Sequence, residues 1–258
     1  MQDKHKIIKM SKIIAIANHK GGVGKTASVA AIGAILASKG YRVLLIDLDT
    51  QANLTMHFMP EMPQRTIFNA IQERNNLPVY SIRENLCLVP SCLDMAGIEL
   101  QMSMMKRREY VLSDLMKPYK DNFDFIILDC PPSLGLVTMN ALAIAEILIV
   151  PMLADIMSSY GVEKMEKFCN EMQDLNQGLH IDYIFFNRYE KRQNMTIGIE
   201  NNIRTMYGDK VLKTVIRKNV DIAESAAQYT DVVSYNPESI GAKDFQELVN
   251  ELLERVIK

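Results

Sequence analysis

Seven consecutive residues, Lys20-Gly21-Gly22-Val23-Gly24-Lys25-Thr26, restrict this chain more than anything else in it. They stand between an apolar run of strand length, Ile13 to Ala17, and a helix-periodic stretch, Lys25 to Lys39, that Gly40 is placed to stop. Glycines at this density let the backbone curl so that successive N–H groups face one anion, and the start of the helix adds its partial positive charge. Strand, loop and helix in that order suit a phosphate chain. Lys25 is placed to reach the outer phosphates and the Thr26 hydroxyl to ligate Mg²⁺, with Ala27 continuing the contact set into the helix.

The rest of the chain reads as α/β. Val43 to Ile46, Leu86 to Val89, Phe125 to Leu128, Ile147 to Val150, Tyr183 to Phe186 and Val211 to Val215 have strand length and apolar content. Between them, Val137 to Ala145, Gly161 to Leu175, Ile197 to Tyr207 and Ala242 to Ile257 carry helical periodicity. That alternation predicts a mostly parallel twisted sheet flanked by helices on both faces. With 258 residues, 48% of them hydrophobic, and neither repeat nor linker, the expectation is one domain over 1–258, residues 1–11 forming a basic N-terminal extension. No stretch reaches the roughly 20 apolar residues of a membrane span. Cys87, Cys92, Cys130 and Cys169 form no CxxC pair and read as free thiols of a reducing cytosol, which predicts a cytoplasmic protein. A net charge of −2 gives no global reason to bind nucleic acid, so any such contact needs a local basic patch.

Two carboxylate clusters follow strands. Asp47-Leu48-Asp49-Thr50-Gln51-Ala52-Asn53 succeeds the second strand, and Asp129 ends the Phe125 run before Cys130-Pro131-Pro132. The C-terminal edge of a parallel sheet is where open α/β folds bind ligands. The glycine loop also departs from the usual pattern, with His19 in its opening glycine position and Lys20 as a second lysine. Taken together, these residues resemble the ParA/MinD family of deviant Walker A P-loop ATPases, in particular the short Soj-like partition proteins. Asp47 to Asn53 resembles the family's switch I, written DxDPQGN, with Thr50 and Ala52 for Pro and Gly. Ser133-Leu134-Gly135-Leu136-Val137-Thr138-Met139-Asn140-Ala141-Leu142 resembles its PSLGxLTxNAL run, Val215 to Asp221 its VIPRNVR segment and Tyr235 to Ala242 its YDPRSRGA segment. The likeness runs from about Ile13 to Ala242.

The resemblance implies ATP and Mg²⁺ as cofactors and a homodimer formed with ATP. In that reading Lys20 reaches the partner subunit's nucleotide, Lys25 serves its own, and Asp49 orients the attacking water. Thr26, Asp47 and Asp129 support the metal, while Asn187 and Arg188 meet the adenine; an Asn at a strand end is equally a turn former. It further implies a ParB-like or cargo-adaptor protein that stimulates hydrolysis, and nucleoid association through nonspecific DNA. From Arg188 to Lys218 eight basic residues stand against three acidic ones, and Arg192, Arg204, Lys213, Arg217 and Lys218 are the candidate DNA contacts. The same residues could be a solvated surface, and Asp221 stands where many relatives have Arg. A MinD-like membrane-cycling ATPase is the first alternative. The tail, with Glu247, Glu251 and Glu254 against Arg255 and Lys258, argues for no membrane. A metabolic enzyme or metal carrier on the same scaffold is the second.

Overall fold

A computed structural model describes residues 11–190 and 194–256. Its centre is a seven-stranded sheet in the order β3-β4-β2-β5-β1-β6-β7. The strands are β1 (Lys12–Ile16), β2 (Val43–Asp47), β3 (Tyr80–Arg83), β4 (Leu86–Val89), β5 (Phe125–Asp129), β6 (Ile147–Met152) and β7 (Tyr183–Phe186). All neighbours run parallel except β3 against β4. Parallel strands carry helices on both faces, so both faces are buried and the strand sequences read as unbroken apolar runs rather than alternating ones.

The two faces have separate cores. Ile13, Ala15, Leu44, Ile46, Ile126 and Leu128 point to one, which is closed by α3 (Ile67–Glu73), α4 (Ile98–Ser103), α5 (Val111–Met116), α6 (Leu136–Ile144), α7 (Ile156–Glu171) and α8 (Asn194–Tyr207). Their neighbours Ile14, Ile16, Val43, Leu45, Phe125 and Ile127 point to the other, under α1 (Lys25–Ser38), α2 (Asn53–Phe58), α10 (Val232–Tyr235) and α11 (Ile240–Val256). A short α9 (Asp221–Ala227) packs against α2 and α10. Close packing on the second face depends on Gly33 of α1. A Cβ there would lie 2.5 Å from Leu45 Cδ2.

The structure corrects the expected elements in four places. Val211 to Val215 forms no strand; it meets β7 through an isolated bridge at Ile184–Val211. Leu212 and Ile216 donate to the Ile184 and Phe186 carbonyls of β7, but the Glu251 carboxylate accepts the Lys213 and Thr214 amides, and the Thr214 amide is lost to the ladder. The edge strand β3 is half-exposed and four residues long, too short to show a period. Helix α7 begins at Ile156 rather than Gly161, and the first turn contains the exposed apolar residues Ile156, Met157 and Tyr160. Short helices α2, α3, α4, α5, α9 and α10 lie between the predicted ones. Residues 1–10 of the expected extension 1–11, Arg192 and Ile257 at the end of the expected tail helix lie outside the described residues.

Candidate functional site

Every chemical feature singled out in the sequence except the basic segment comes to the C-terminal edge of β1, β2, β5 and β7. The register explains why: Asp129 stands beside Ile16 on one side and Asp47 on the other. The loop that leaves β1 therefore begins next to both carboxylates. It needs left-handed backbone at Gly22 (φ +74°) and Gly24 (φ +89°), and a Cβ on Gly24 would lie 2.1 Å from Asn187 Nδ2. Its amides lead into α1, a helix end with no side-chain cap and no acidic residue in its first turn, which leaves its positive end for an anion.

Lys25 folds back over its own loop. Its ammonium lies 3.3 Å from the Asn18 carbonyl and 3.4 Å from that of Lys20. Burial lowers its pKa, and the neighbouring Asp129 and Asp49 act in the opposite sense. Lys20 turns the other way. Its Nζ donates to both oxygens of Asp155 at 2.8 and 2.7 Å, and to the Ser158 hydroxyl at 3.2 Å. Asp155 is the N-cap of α7 and accepts the Ser158 amide at 2.7 Å. The two lysines of the loop thus serve different places.

Three carboxylates face this loop. Asp47 is fully buried and accepts from the Thr55 amide and hydroxyl and from the Asp49 amide. Even so, burial pushes its carboxyl up to about 6. Asp129 is fully buried too, and neither of its oxygens has a hydrogen-bond partner. Burial first, and Asp47 second, raise its pKa well above the usual range; Thr26 and Lys25 act to lower it without supplying a bond of proper geometry. Asp49 receives the Gln51 amide on one oxygen and lines the pocket. Ala52, at the glycine position of the pattern, sits at φ +52°, a conformation that strains any residue with a Cβ.

An orphaned, buried carboxylate beside a hydroxyl and a second carboxylate is a set of hard oxygen donors, which fits Mg²⁺. The adjoining cavity, about 850 Å³, is lined by Gly21, Gly24, Lys25, Thr26 and Ala27 at one end, and by Arg188, Lys218, Asn219, Ile222 and Ala223 at the other. That is room for a nucleotide, with the glycine loop at one end and a mixed wall of charged and apolar side chains at the other.

Several of the candidate residues are tied to partners within the chain. Asn187 donates to the Val23 carbonyl at 3.0 Å and accepts the Arg188 amide, so its amide braces the glycine loop. Asn187 and Arg188 both line the cavity, Arg188 at φ +49°. Among the described residues, the basic segment is partly paired within the chain. Arg217 makes a two-pronged pair with the buried Asp244, and Arg204 pairs with Glu200. Lys218 pairs with Glu190 and lines the nucleotide cavity instead. The Lys213 amide is tied to Glu251, and Asp221 accepts from Asn236 at the start of α9. Sequence reading passed over Asp155 altogether. Its spacing to Ser158 at the head of a helix is the available N-cap signal.

A family model described as an AAA domain matches residues 11–181. The sporulation initiation inhibitor protein Soj of Bacillus subtilis is 33% identical over 252 residues, spanning 94% of this chain and 98% of that protein. The chromosome-partitioning ATPase Soj of Treponema pallidum is 31% identical over 254 residues, spanning 95% and 98%. Among solved structures, the cobyrinic acid a,c-diamide synthase of Mycobacterium smegmatis with bound ADP and magnesium superposes with a TM-score of 0.82. It is 29% identical, over 95% of each chain.

Proposed function

This chain belongs to the ParA/MinD family of P-loop ATPases, on its Soj-like side, and from that premise we propose that it is an ATP-driven dimerisation switch for partition or positioning. ATP and Mg²⁺ are its cofactors. The triphosphate lies along the Gly21 to Gly24 amides and the start of α1, with Lys25 on the outer phosphates. Thr26, Asp129 and, behind them, Asp47 hold the metal, which when bound neutralises phosphate charge. Asp49 orients the attacking water, and Lys25 with the loop amides stabilises the charge that develops on the transferred phosphoryl group. The base end lies against Arg188 and the segment from Lys218 to Ala223.

The observation that carries this reading is the division of labour between the two lysines. Lys25 closes over its own loop, whereas Lys20 stands outside it on Asp155, where one rotation of a flexible side chain frees it for phosphate on a second copy. The decisive experiment is oligomeric state with ATP, with ADP and without nucleotide. Asp49→Ala should trap an ATP dimer and Lys20→Ala should prevent it. A monomer–dimer balance indifferent to both substitutions ends the reading.

DNA binding in the ATP state is the finer part of the proposal. Because Arg204 and Arg217 are neutralised within the chain, binding should be weak, strongly salt-sensitive and dependent on two copies presenting Lys213 and its neighbours together. Retention on DNA should be seen with ATP and not ADP, and should fall steeply between two salt concentrations. A ParB-like or cargo-adaptor protein would then trigger hydrolysis.

The alternatives fit less well. Helix α11 buries Phe245, Leu248, Val249 and Leu252 in the core, so the face a MinD-like membrane helix would lay on lipid is already used. The thiol of Cys130 is fully buried and its pKa is pushed up, which removes it as a ligand shared between subunits.

A further inference from the structure

We propose that His19 is a positioning residue for hydrolysis, clamping the Pro131-Pro132 turn to the head of the phosphate loop; the hydrolytic role rests on the ATPase reading above. A phosphate loop asks no side chain of its first position, yet this one carries an imidazole with both nitrogens engaged. Nδ1 lies 3.1 Å from the Pro132 carbonyl oxygen, and Nε2 lies 3.2 Å from Lys164 Nζ on α7. An ammonium has donors only, so Nε2 must accept; the ring proton is then on Nδ1 and is donated to Pro132. The partners fix the tautomer.

The surroundings say what this clamp does. Asn18, His19 and Lys20 are each tied by side chain to the end of β6, to the β6–α7 connection or to α7. Asn18 donates to the Pro151 carbonyl, His19 accepts from Lys164 and Lys20 pairs with Asp155. Of the three, His19 also reaches the turn after β5. That turn has two consecutive prolines and therefore no N–H at either to bond it to a neighbour. Its backbone is fastened at Cys130, whose amide donates to the Ile16 carbonyl, and next at the Ser133 carbonyl, which accepts from Thr138. Between those points the Pro132 carbonyl takes its hydrogen bond from a side chain. Pro132 forms wall in both the nucleotide cavity and the groove beside Asp49, so its position sets the space in which water and the outer phosphate meet.

Three substitutions separate the contacts. His19→Asn keeps a donor where Nδ1 was, His19→Gln keeps an acceptor toward Lys164, and His19→Ala removes both. The expected result is a kcat for ATP hydrolysis about tenfold lower in the Ala and Gln variants, the scale of one lost hydrogen bond, with KM for ATP within about twofold. The Asn variant should recover most of the loss. Two readouts need no nucleotide. The ¹⁵N spectrum of labelled histidine should show His19 as the Nδ1–H tautomer, its signal assigned by disappearance in His19→Asn. Amide exchange at Ser133, Leu134 and Gly135 should quicken about tenfold in His19→Ala, the same loss of one bond. An Nε2–H tautomer overturns the clamp, as does unchanged kcat and exchange in both the Ala and Gln variants. Should His19→Ala fail to fold, the Asn–Gln comparison and the wild-type tautomer decide. If the wild-type protein hydrolyses no ATP, the ATPase reading and the hydrolytic role proposed for His19 both fall. The tautomer and the exchange rates then still decide whether the clamp itself exists.

Discussion

Gly24 and Asn187 are locked together at the C-terminal edge of the sheet, one in the loop after β1 and the other at the end of β7. The glycine is required twice over, by its positive φ and by the Asn187 amide standing 2.1 Å from where a Cβ would be. That amide is there because it donates to the Val23 carbonyl. Gly24→Ala should therefore destabilise the nucleotide-free protein by about 2–4 kcal/mol, strain and overlap combined. Asn187→Ala alone should cost about 1–2 kcal/mol for the lost bond. Together they should cost less than their sum by about 1–2 kcal/mol, because removing the amide relieves the overlap. Urea denaturation of the four proteins measures this; strict additivity would refute the contact. Arg217 makes a different point. Its guanidinium covers an Asp244 carboxylate whose side chain is only 4% exposed, so Arg217→Ala should lower stability by about 1–2 kcal/mol before any effect on DNA is considered. A DNA-binding scan that includes it has to be read beside the melting curves of the same variants.

Helix α7 couples the phosphate loop to an exposed apolar turn. Asp155 serves two purposes there, capping the helix through the Ser158 amide and holding the Lys20 ammonium. Asn retains the capping oxygen and loses the charge, so Asp155→Asn should leave the helix intact and release Lys20. In the Asp49→Ala background the ATP concentration needed for half-maximal dimerisation should fall several-fold. Asp155→Ala should show the same release plus about 1 kcal/mol of lost stability from the missing cap. Light scattering across an ATP titration decides; an unchanged midpoint in Asp155→Asn means that the pair does not restrain Lys20. The sequence showed little of this element. Its first turn lacks a polar face, with Ile156, Met157 and Tyr160 all exposed, so amphipathic periodicity starts only at Gly161. The central strands were readable because burial on both faces leaves nothing but apolar residues in them. Val211 to Val215 mixes Lys213 and Thr214 with apolar residues, and Glu251, far along the chain, takes the amides of those two. The glycine loop and the three aspartates were legible for the opposite reason, since their chemistry is local and their order along the strands is fixed. The charge of the basic segment was not, because Asp244 and Glu251 neutralise or bind it from outside the window in which charges are summed.

For the molecule as a whole, the costliest arrangement is the pair of buried carboxylates at the centre of the sheet. Asp47 and Asp129 sit side by side in register, and burial raises both above the ordinary carboxylate range, Asp47 to about 6 from 3.8. Between those two values the native protein binds more protons than the unfolded chain. Stability of the nucleotide-free, metal-free protein should therefore be fullest below about pH 4 as far as these groups are concerned. It should fall as pH rises through about 6, by an amount on the order of 2–3 kcal/mol. A dication among the same oxygens reverses the preference, since it favours the charged carboxylates. The stabilisation conferred by Mg²⁺ with nucleotide should consequently be small near pH 4.5 and grow toward pH 7. Melting temperatures at both pH values, with and without Mg²⁺ and ADP, give four numbers that test the linkage. Asp129→Asn supplies the control: the variant should be more stable than the wild-type protein at pH 7 without ligand, and should gain little from Mg²⁺. If it is instead less stable at pH 7 and still responds fully to the metal, Asp129 is not the group that ties stability to the cation, and the orphaned oxygens have another purpose.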